Sequence, residues 1–169
     1  MNPIKSSMAP VGAQRPFLLV LGSLPGEASL AAQRYYAHPQ NQFWRLLGAA
    51  IGEPLAALSY DERLARLALR GVGLWDVVGE ASRVGSLDGA LRNVSANPLA
   101  AFVEGQPQLR AIGFNGQTAA RIGRRVLGGT ALTLIDLPSS SPAYTLGLAE
   151  KAKIWSALAN FAAAATLAP

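Results

Sequence analysis

Between Phe17 and Trp44 the chain reads FLLVLGSLPGEASLAAQRYYAHPQNQFW. A short apolar run stops at Gly22-Ser23-Leu24-Pro25-Gly26, and Tyr35 and Tyr36 lead into His38-Pro39-Gln40-Asn41-Gln42-Phe43-Trp44. A buried strand that ends in a tight glycine turn, followed by aromatics beside an uncharged carboxamide, suits a pocket that grips a flat ring. Further along, Asn115-Gly116 and Pro138-Ser139-Ser140-Ser141 are two more polar breaks after apolar runs. Other chemistries lack their residues. With no cysteine there is no thiol catalysis, disulfide or Cys-ligated metal, and a single histidine makes a His-based metal site improbable. We therefore expect neither metal nor cofactor. A serine hydrolase would need Ser, His and Asp in reach, and the chain has no Gly-x-Ser-x-Gly elbow around its lone His38.

The 169 residues fit one domain, large enough to bury roughly two thirds of the unfolded surface. Half are apolar and only 15% are charged, which argues against disorder. Fifteen basic against ten acidic side chains leave a net charge of +5, which favours meeting a polyanion. No apolar run approaches the ~18 residues of a membrane span, and the N-terminus lacks a hydrophobic signal core. The expectation is a soluble, cytoplasmic monomer with no membrane attachment.

The elements that must position these residues follow from periodicity. Residues 1–15 read as a loose, flexible tail, and 16–169 as a single domain. Phe17–Leu21 has the continuous apolar character of a parallel strand buried on both faces. Val72–Val78, Leu109–Phe114 and Ala131–Leu137 are further strand candidates. Gln42–Ile51, Tyr60–Arg70, Pro98–Glu104, Gln117–Leu127 and Leu148–Ala165 carry helical stripes. Alternation of this kind predicts an α/β fold, a three-layer α/β/α sandwich with a mainly parallel sheet of about four strands. Ligands of such sheets bind beyond the carboxyl ends of the strands. Those ends are Gly22–Gly26, Asn115-Gly116 and Pro138–Ser141.

Taken together, Gly22-Ser23-Leu24-Pro25-Gly26, Tyr36-Ala37-His38-Pro39-Gln40-Asn41-Gln42-Phe43-Trp44, Gly113-Phe114-Asn115-Gly116 and Leu137-Pro138-Ser139-Ser140-Ser141 resemble the uracil-DNA glycosylase superfamily. The His-Pro-x-Asn-x-Phe-Trp and Pro-Ser-Ser-Ser segments look like the mismatch-specific uracil and thymine branch. The Gly-Ser-Leu-Pro-Gly opening, Asp76-Val77-Val78 and Gly85-Ser86-Leu87-Asp88 are closer to the hypoxanthine branch. The likeness runs from Phe17 to about Trp155. It departs at two places. Leu24 stands where the mismatch-specific branch has the asparagine that holds the hydrolytic water, and Leu137 where many relatives carry a His or Asn that supports the leaving base.

The resemblance implies a monofunctional DNA glycosylase of base excision repair that removes deaminated bases, hypoxanthine first and uracil second. It implies Asn41 as the catalytic amide, orienting water and presenting its dipole to a cationic sugar; Asn41 could also cap the following helix. Asn115 is the candidate base reader. Uracil and hypoxanthine each show a carbonyl beside an N–H, which one locked amide can pair, whereas adenine and cytosine show the reverse. The alternative is an Asn in a left-handed turn before Gly116. Tyr36 is placed to stack on the base, His38 to brace its loop, and Gly22, Ser23, Leu24, Pro25 and Gly26 to line the pocket. Ser139, Ser140, Ser141, Pro142 and Tyr144 are the expected DNA contacts; Pro142, Ala143 or Tyr144 holds the position from which relatives push a wedge, and with no large aliphatic there, either Tyr144 serves or insertion is weak. Arg83, Arg92, Arg121, Arg124 and Arg125 are additional candidates for phosphate. The competing reading is a nucleotide- or nucleic-acid-binding module without catalysis.

Overall fold

The computed structural model describes residues 3–164. Its centre is the apolar run at the start of the chain: β3 (Leu18–Gly22) is buried at every residue. β4 (Val72–Asp76) pairs in parallel on one side of it and β7 (Ala111–Asn115) on the other. β8 (Thr133–Leu137) adds a parallel edge beyond β7, and the short β2 (Val11–Gly12) closes the other edge antiparallel to β4. The order β2-β4-β3-β7-β8 reverses direction of winding at β3, so a crevice opens at the carboxyl ends on either side of that strand.

Successive side chains of β3 point to opposite faces, and each face has its own core. Leu18 and Val20 pack with Phe43, Leu46 and Leu47 of α2 (Phe43–Ile51), Leu67 of α3 (Tyr60–Leu69) and Trp155 of α6 (Leu148–Trp155). Leu19 and Leu21 pack with Leu99 of α4 (Leu99–Glu104) and with Ala119 and Ala120 of α5 (Gln117–Leu127). Helices on both faces of a largely parallel sheet are the three-layer α/β architecture expected. α1 (Glu27–Ala32) follows the first loop directly.

The four parallel strands agree with the mainly parallel sheet of about four expected, and the short antiparallel β2 adds a fifth. Other expectations need correction. The segment read as a loose tail holds two strands, β1 (Ile4–Ser6) and β2. β1 belongs to a second, antiparallel sheet with β5 (Val78–Ser82) and β6 (Arg92–Ala96), in the order β1-β5-β6. The run Val72–Val78 is therefore two strands: the Val77 and Val78 N–H groups donate to Gly22 and Ser23 carbonyls, and the chain passes from one sheet into the other. The helix expected over Leu148–Ala165 stops at Trp155. The Ser156 hydroxyl donates to the Lys153 carbonyl at 2.6 Å, a local bond that competes with helical continuation, and a 3-10 turn takes over from Ser156 to Asn160. Ala165 lies outside the described residues.

Candidate active site

Gly22 ends β3 and stands in register with Asp76, the last residue of β4. A methyl group built on Gly22 would sit 2.7 Å from both Asp76 Oδ1 and the Tyr36 hydroxyl. Only glycine lets these two groups close over the strand end. Asn115 finishes β7 on the neighbouring side, and Gly116, with φ +97°, makes the left-handed turn into α5. The turn conformation considered for Asn115 thus belongs to its neighbour. The side chain of Asn115 borders the cleft.

These strand ends enclose one cleft of about 310 Å³, lined by the first loop, Tyr36, His38, Asn41, Asp76, Leu87, Asp88, Asn115 and the 139–143 loop, among others. Asn41, Asn115 and Tyr36, expected to converge, all border it.

Asn115 is locked. Its Oδ1 accepts the Ser140 N–H at 2.9 Å, and its Nδ2 donates to the Ser140 hydroxyl at 2.9 Å and to the Tyr36 hydroxyl at 3.3 Å. Because a backbone N–H can only donate, the carboxamide has one possible orientation. Ser140 is buried by this exchange and also accepts the Gln42 N–H at 3.0 Å, so its groups face Asn115 and α2. Ser139 and Ser141 instead bond within their own loop, each accepting an N–H two residues on.

The Asn41 Oδ1 accepts the Phe43 N–H at 3.0 Å, satisfying one of the unpaired donors at the start of α2. Its Nδ2 has no partner among the described residues. The N-cap of α2 is Gln42, so Asn41 is not the cap itself; it stands one residue before it and borders the cleft. Tyr36 has φ +53° and stacks on Phe43 with centroids 3.6 Å apart and planes 9° from parallel. One face of its ring is thereby covered. Burial and the nearby Asp76 carboxyl hold the Tyr36 phenol far above its ordinary range, so it stays protonated. His38 is exposed and its Nδ1 accepts the Gln40 N–H at 3.1 Å, a brace within its loop. Tyr35, by contrast, sends its hydroxyl to the Ala9 carbonyl at 2.9 Å.

Leu24 and Leu137 are both buried, Leu24 in the cleft wall and Leu137 in the core beneath it. Pro142 and Ala143 reach the cleft rim; Tyr144 does not line it, and its ring lies 5.4 Å from the Lys151 ammonium. Arg83, a phosphate candidate from sequence, is fully buried. It donates to the Pro25 carbonyl at 2.5 Å and the Gly85 carbonyl at 2.9 Å, which holds up the first loop.

Asp76, Leu87 and Asp88 were quoted from sequence as motif residues but given no role in the site, and Lys151 was not named. Asp76 is 3% exposed, and burial raises its carboxyl to about 7 despite the Ser7 hydroxyl, which donates to Oδ2 at 3.4 Å. Its Oδ1 has no partner among the described residues. Asp88 accepts the Ser23 hydroxyl at 2.6 Å, and Leu87 lines the cleft beside it. Lys151 is buried and donates to Gln42 Oε1 at 3.0 Å and the Ser141 carbonyl at 3.4 Å. Asp76 could have been found: it ends a strand on the same sheet edge that exposes Gly22 and Asn115. Among the described residues no group of three His, Cys, Asp or Glu side chains is placed to hold a metal, and no helix is long and apolar enough to cross a membrane.

Such a cleft, at the crevice of a parallel sheet and furnished with amides, hydroxyls and a tyrosine, has the make-up of a ligand site in an α/β enzyme. Comparison with known proteins agrees. A family model for the uracil DNA glycosylase superfamily matches residues 9–159. The chain belongs to that superfamily, and it is a DNA glycosylase. It is 40% identical over 140 residues to a protein of Methanosarcina acetivorans named hypoxanthine DNA glycosylase, covering 83% of this chain and 88% of that one. A protein of the same name from Methanosarcina barkeri is 39% identical over 113 residues, covering 67% and 72%. The solution NMR structure of a Methanosarcina acetivorans protein bearing a uracil DNA glycosylase name superposes with a TM-score of 0.82 at 37% identity, covering 92% of this chain and 96% of that one.

Proposed function

We propose that this glycosylase removes hypoxanthine, and secondarily uracil, from DNA by simple hydrolysis, working as a monomer. The observation that carries the reading is the meeting of Asn41, Asn115 and Tyr36 at one cleft. The C1′–N bond breaks with its electron pair leaving on the base, and water adds to C1′. The proton lost by that water ends on the departing base. The transition state is a cationic sugar beside an anionic ring, so fixed dipoles supply the stabilisation. Asn41 Oδ1, anchored by the Phe43 N–H, keeps a second lone pair for the attacking water and for the sugar cation.

Asn115 reads the base. Both of its amide hydrogens are already donated, the longer bond being the 3.3 Å one to Tyr36. An incoming O6 or O4 carbonyl takes over that hydrogen, and the adjacent N–H of the base donates to the free lone pair of Oδ1. Adenine offers a donor where the acceptor is needed and leaves buried groups unpaired, which gives strong discrimination. Lys151, the cation nearest the serine loop, is held by Gln42 and Ser141 and does not line the cleft. That supports hydrolysis leaving an abasic site, without strand cleavage through an amine adduct.

The test is single-turnover release of free base from a duplex carrying one hypoxanthine or one uracil. The expected result is release of both, hypoxanthine faster, and loss of at least about 100-fold with Asn41→Ala. Unchanged release in that variant, with the fold intact, would refute the assignment of Asn41.

A further inference from the structure

The rim of the cleft carries an apolar side chain that the site chemistry does not use. Leu87 is 62% exposed and lines the cleft from the connection between β5 and β6. An exposed leucine alone means little, but this one is held in place from both sides. The Ser86 hydroxyl accepts the Glu27 N–H at 2.9 Å, and the Asp88 carboxylate accepts the Ser23 hydroxyl at 2.6 Å. Behind them, Gly85 receives hydrogen bonds from buried Arg83 and from Lys5 at 2.9 and 2.6 Å. Residues on either side of Leu87 are thus fastened to the loop that forms the cleft floor. Val84, also 62% exposed, stands on the same connection.

The opposite rim has nothing comparable. Pro142 and Ala143 are short, and Tyr144 does not line the cleft, its ring lying 5.4 Å from the Lys151 ammonium. A base that enters the cleft leaves a gap in the duplex stack, and enzymes that evict bases commonly fill such gaps with an apolar side chain. We infer that Leu87 is that wedge, delivered by the β5–β6 connection and not by the serine loop. The occupant of the Leu87 and Val84 surface is therefore the base stack flanking the evicted nucleotide. Charge agrees with this partner: Arg92, at the foot of the same connection, is exposed, while Glu27 beside it is paired with Lys5 at 3.0 Å. The inference rests on the glycosylase reading above and adds how the duplex is opened.

The experiment compares hypoxanthine release from duplex and from single-stranded oligonucleotide under single-turnover conditions, with 2-aminopurine beside the lesion reporting unstacking. For Leu87→Ala, the duplex-to-single-strand rate ratio should fall at least about tenfold and the fluorescence rise on duplex should shrink with it. Leu87→Phe, which keeps a large apolar group, should stay within about threefold of the parent ratio. Leu87 is exposed, so the thermal midpoint of either variant should not move. An unchanged ratio in Leu87→Ala overturns the inference. So does a loss carried instead by Tyr144→Ala, or a change of oligomeric state in Leu87→Ala with the ratio preserved, which would make the patch a contact between copies. If the parent enzyme releases base from neither substrate, the glycosylase reading itself fails and the wedge falls with it.

Discussion

Replacing Asp76 by asparagine should make the protein progressively more stable relative to the parent as pH rises from about 4 to above 7. Asp76 is 3% exposed, and burial raises its carboxyl from an ordinary value of 3.8 to about 7. Around it stand the Ser7 and Tyr36 hydroxyls, the Asp88 carboxylate, whose charge opposes ionisation, and the Arg83 guanidinium, whose charge favours it. Below pH 4 the carboxyl is protonated folded or unfolded and contributes nothing to pH dependence. Between pH 4 and 7 the unfolded chain releases the proton while the folded chain keeps it, so stability declines as pH rises. Above about 7 the decline is complete. At roughly 1.4 kcal/mol for each pH unit, the full cost is about 4 kcal/mol. An amide of the same shape never pays it.

Urea unfolding followed by tryptophan fluorescence, from pH 4 to 8.5, measures this. The stability gap between Asp76→Asn and the parent should widen across that range by about 2–4 kcal/mol, whatever constant offset the amide introduces. A gap that stays flat would refute the reasoning, because it would mean that Asp76 ionises in the folded state as it does in the unfolded chain. The same proton matters to excision. Above about pH 7 a carboxylate in the cleft wall repels the departing anionic base, so parent activity should fall through that range and the variant should lose that limb.

Asn115→Ala leaves the buried Ser140 N–H and hydroxyl without partners; stability should drop by about 2 kcal/mol and hypoxanthine release by more than the drop explains, checked by urea titration and single-turnover rates. Gly22→Ala places a methyl 2.7 Å from Asp76 Oδ1 and the Tyr36 hydroxyl, so both must shift; base release should collapse while thermal unfolding shows a folded protein. Lys151→Met removes a buried cation that has no carboxylate partner among the described residues. Its stability, read from urea titration, should be equal or higher.

The layers were legible because β3, β4 and β7 are apolar runs buried on both faces, and only central parallel strands produce that pattern. The strand ends were legible for the same reason: once the runs are strands, Gly22, Asn115 and Pro138 must share an edge. The second sheet was not. β6 is exposed at every residue and β1 nearly so, so neither carries an apolar alternation to read, and both exist because β5 offers them backbone partners. Leu87 was hidden likewise, since its role depends on Ser86 and Asp88 bonding to residues about sixty positions away. Asn41 shows the limit from the other side. Sequence left open whether it caps a helix or serves the cleft; the structure makes Gln42 the N-cap and sets Asn41 one residue before it, its oxygen on the Phe43 N–H and its side chain at the cleft.

On the proposed mechanism, that double placement is what lets the cleft work without the polar groups displaced by Leu24 and Leu137. A lone amide on a loop would reorient when charge develops beside it, and the cost of turning it would consume much of what its dipole returns. Asn41 is restrained, because its carbonyl oxygen accepts the first N–H of α2. Asn115 is held more firmly, because Ser140 presents a donor to its oxygen and an acceptor to its nitrogen. Both dipoles are therefore aligned before the base arrives, and preorganised dipoles in a water-poor site stabilise charge without reorganisation. The helix that anchors Asn41 also supplies Phe43, the ring that supports Tyr36 from behind. Loosening the start of α2 should then slow catalysis and weaken base stacking together, which separates this arrangement from one in which the two amides act alone.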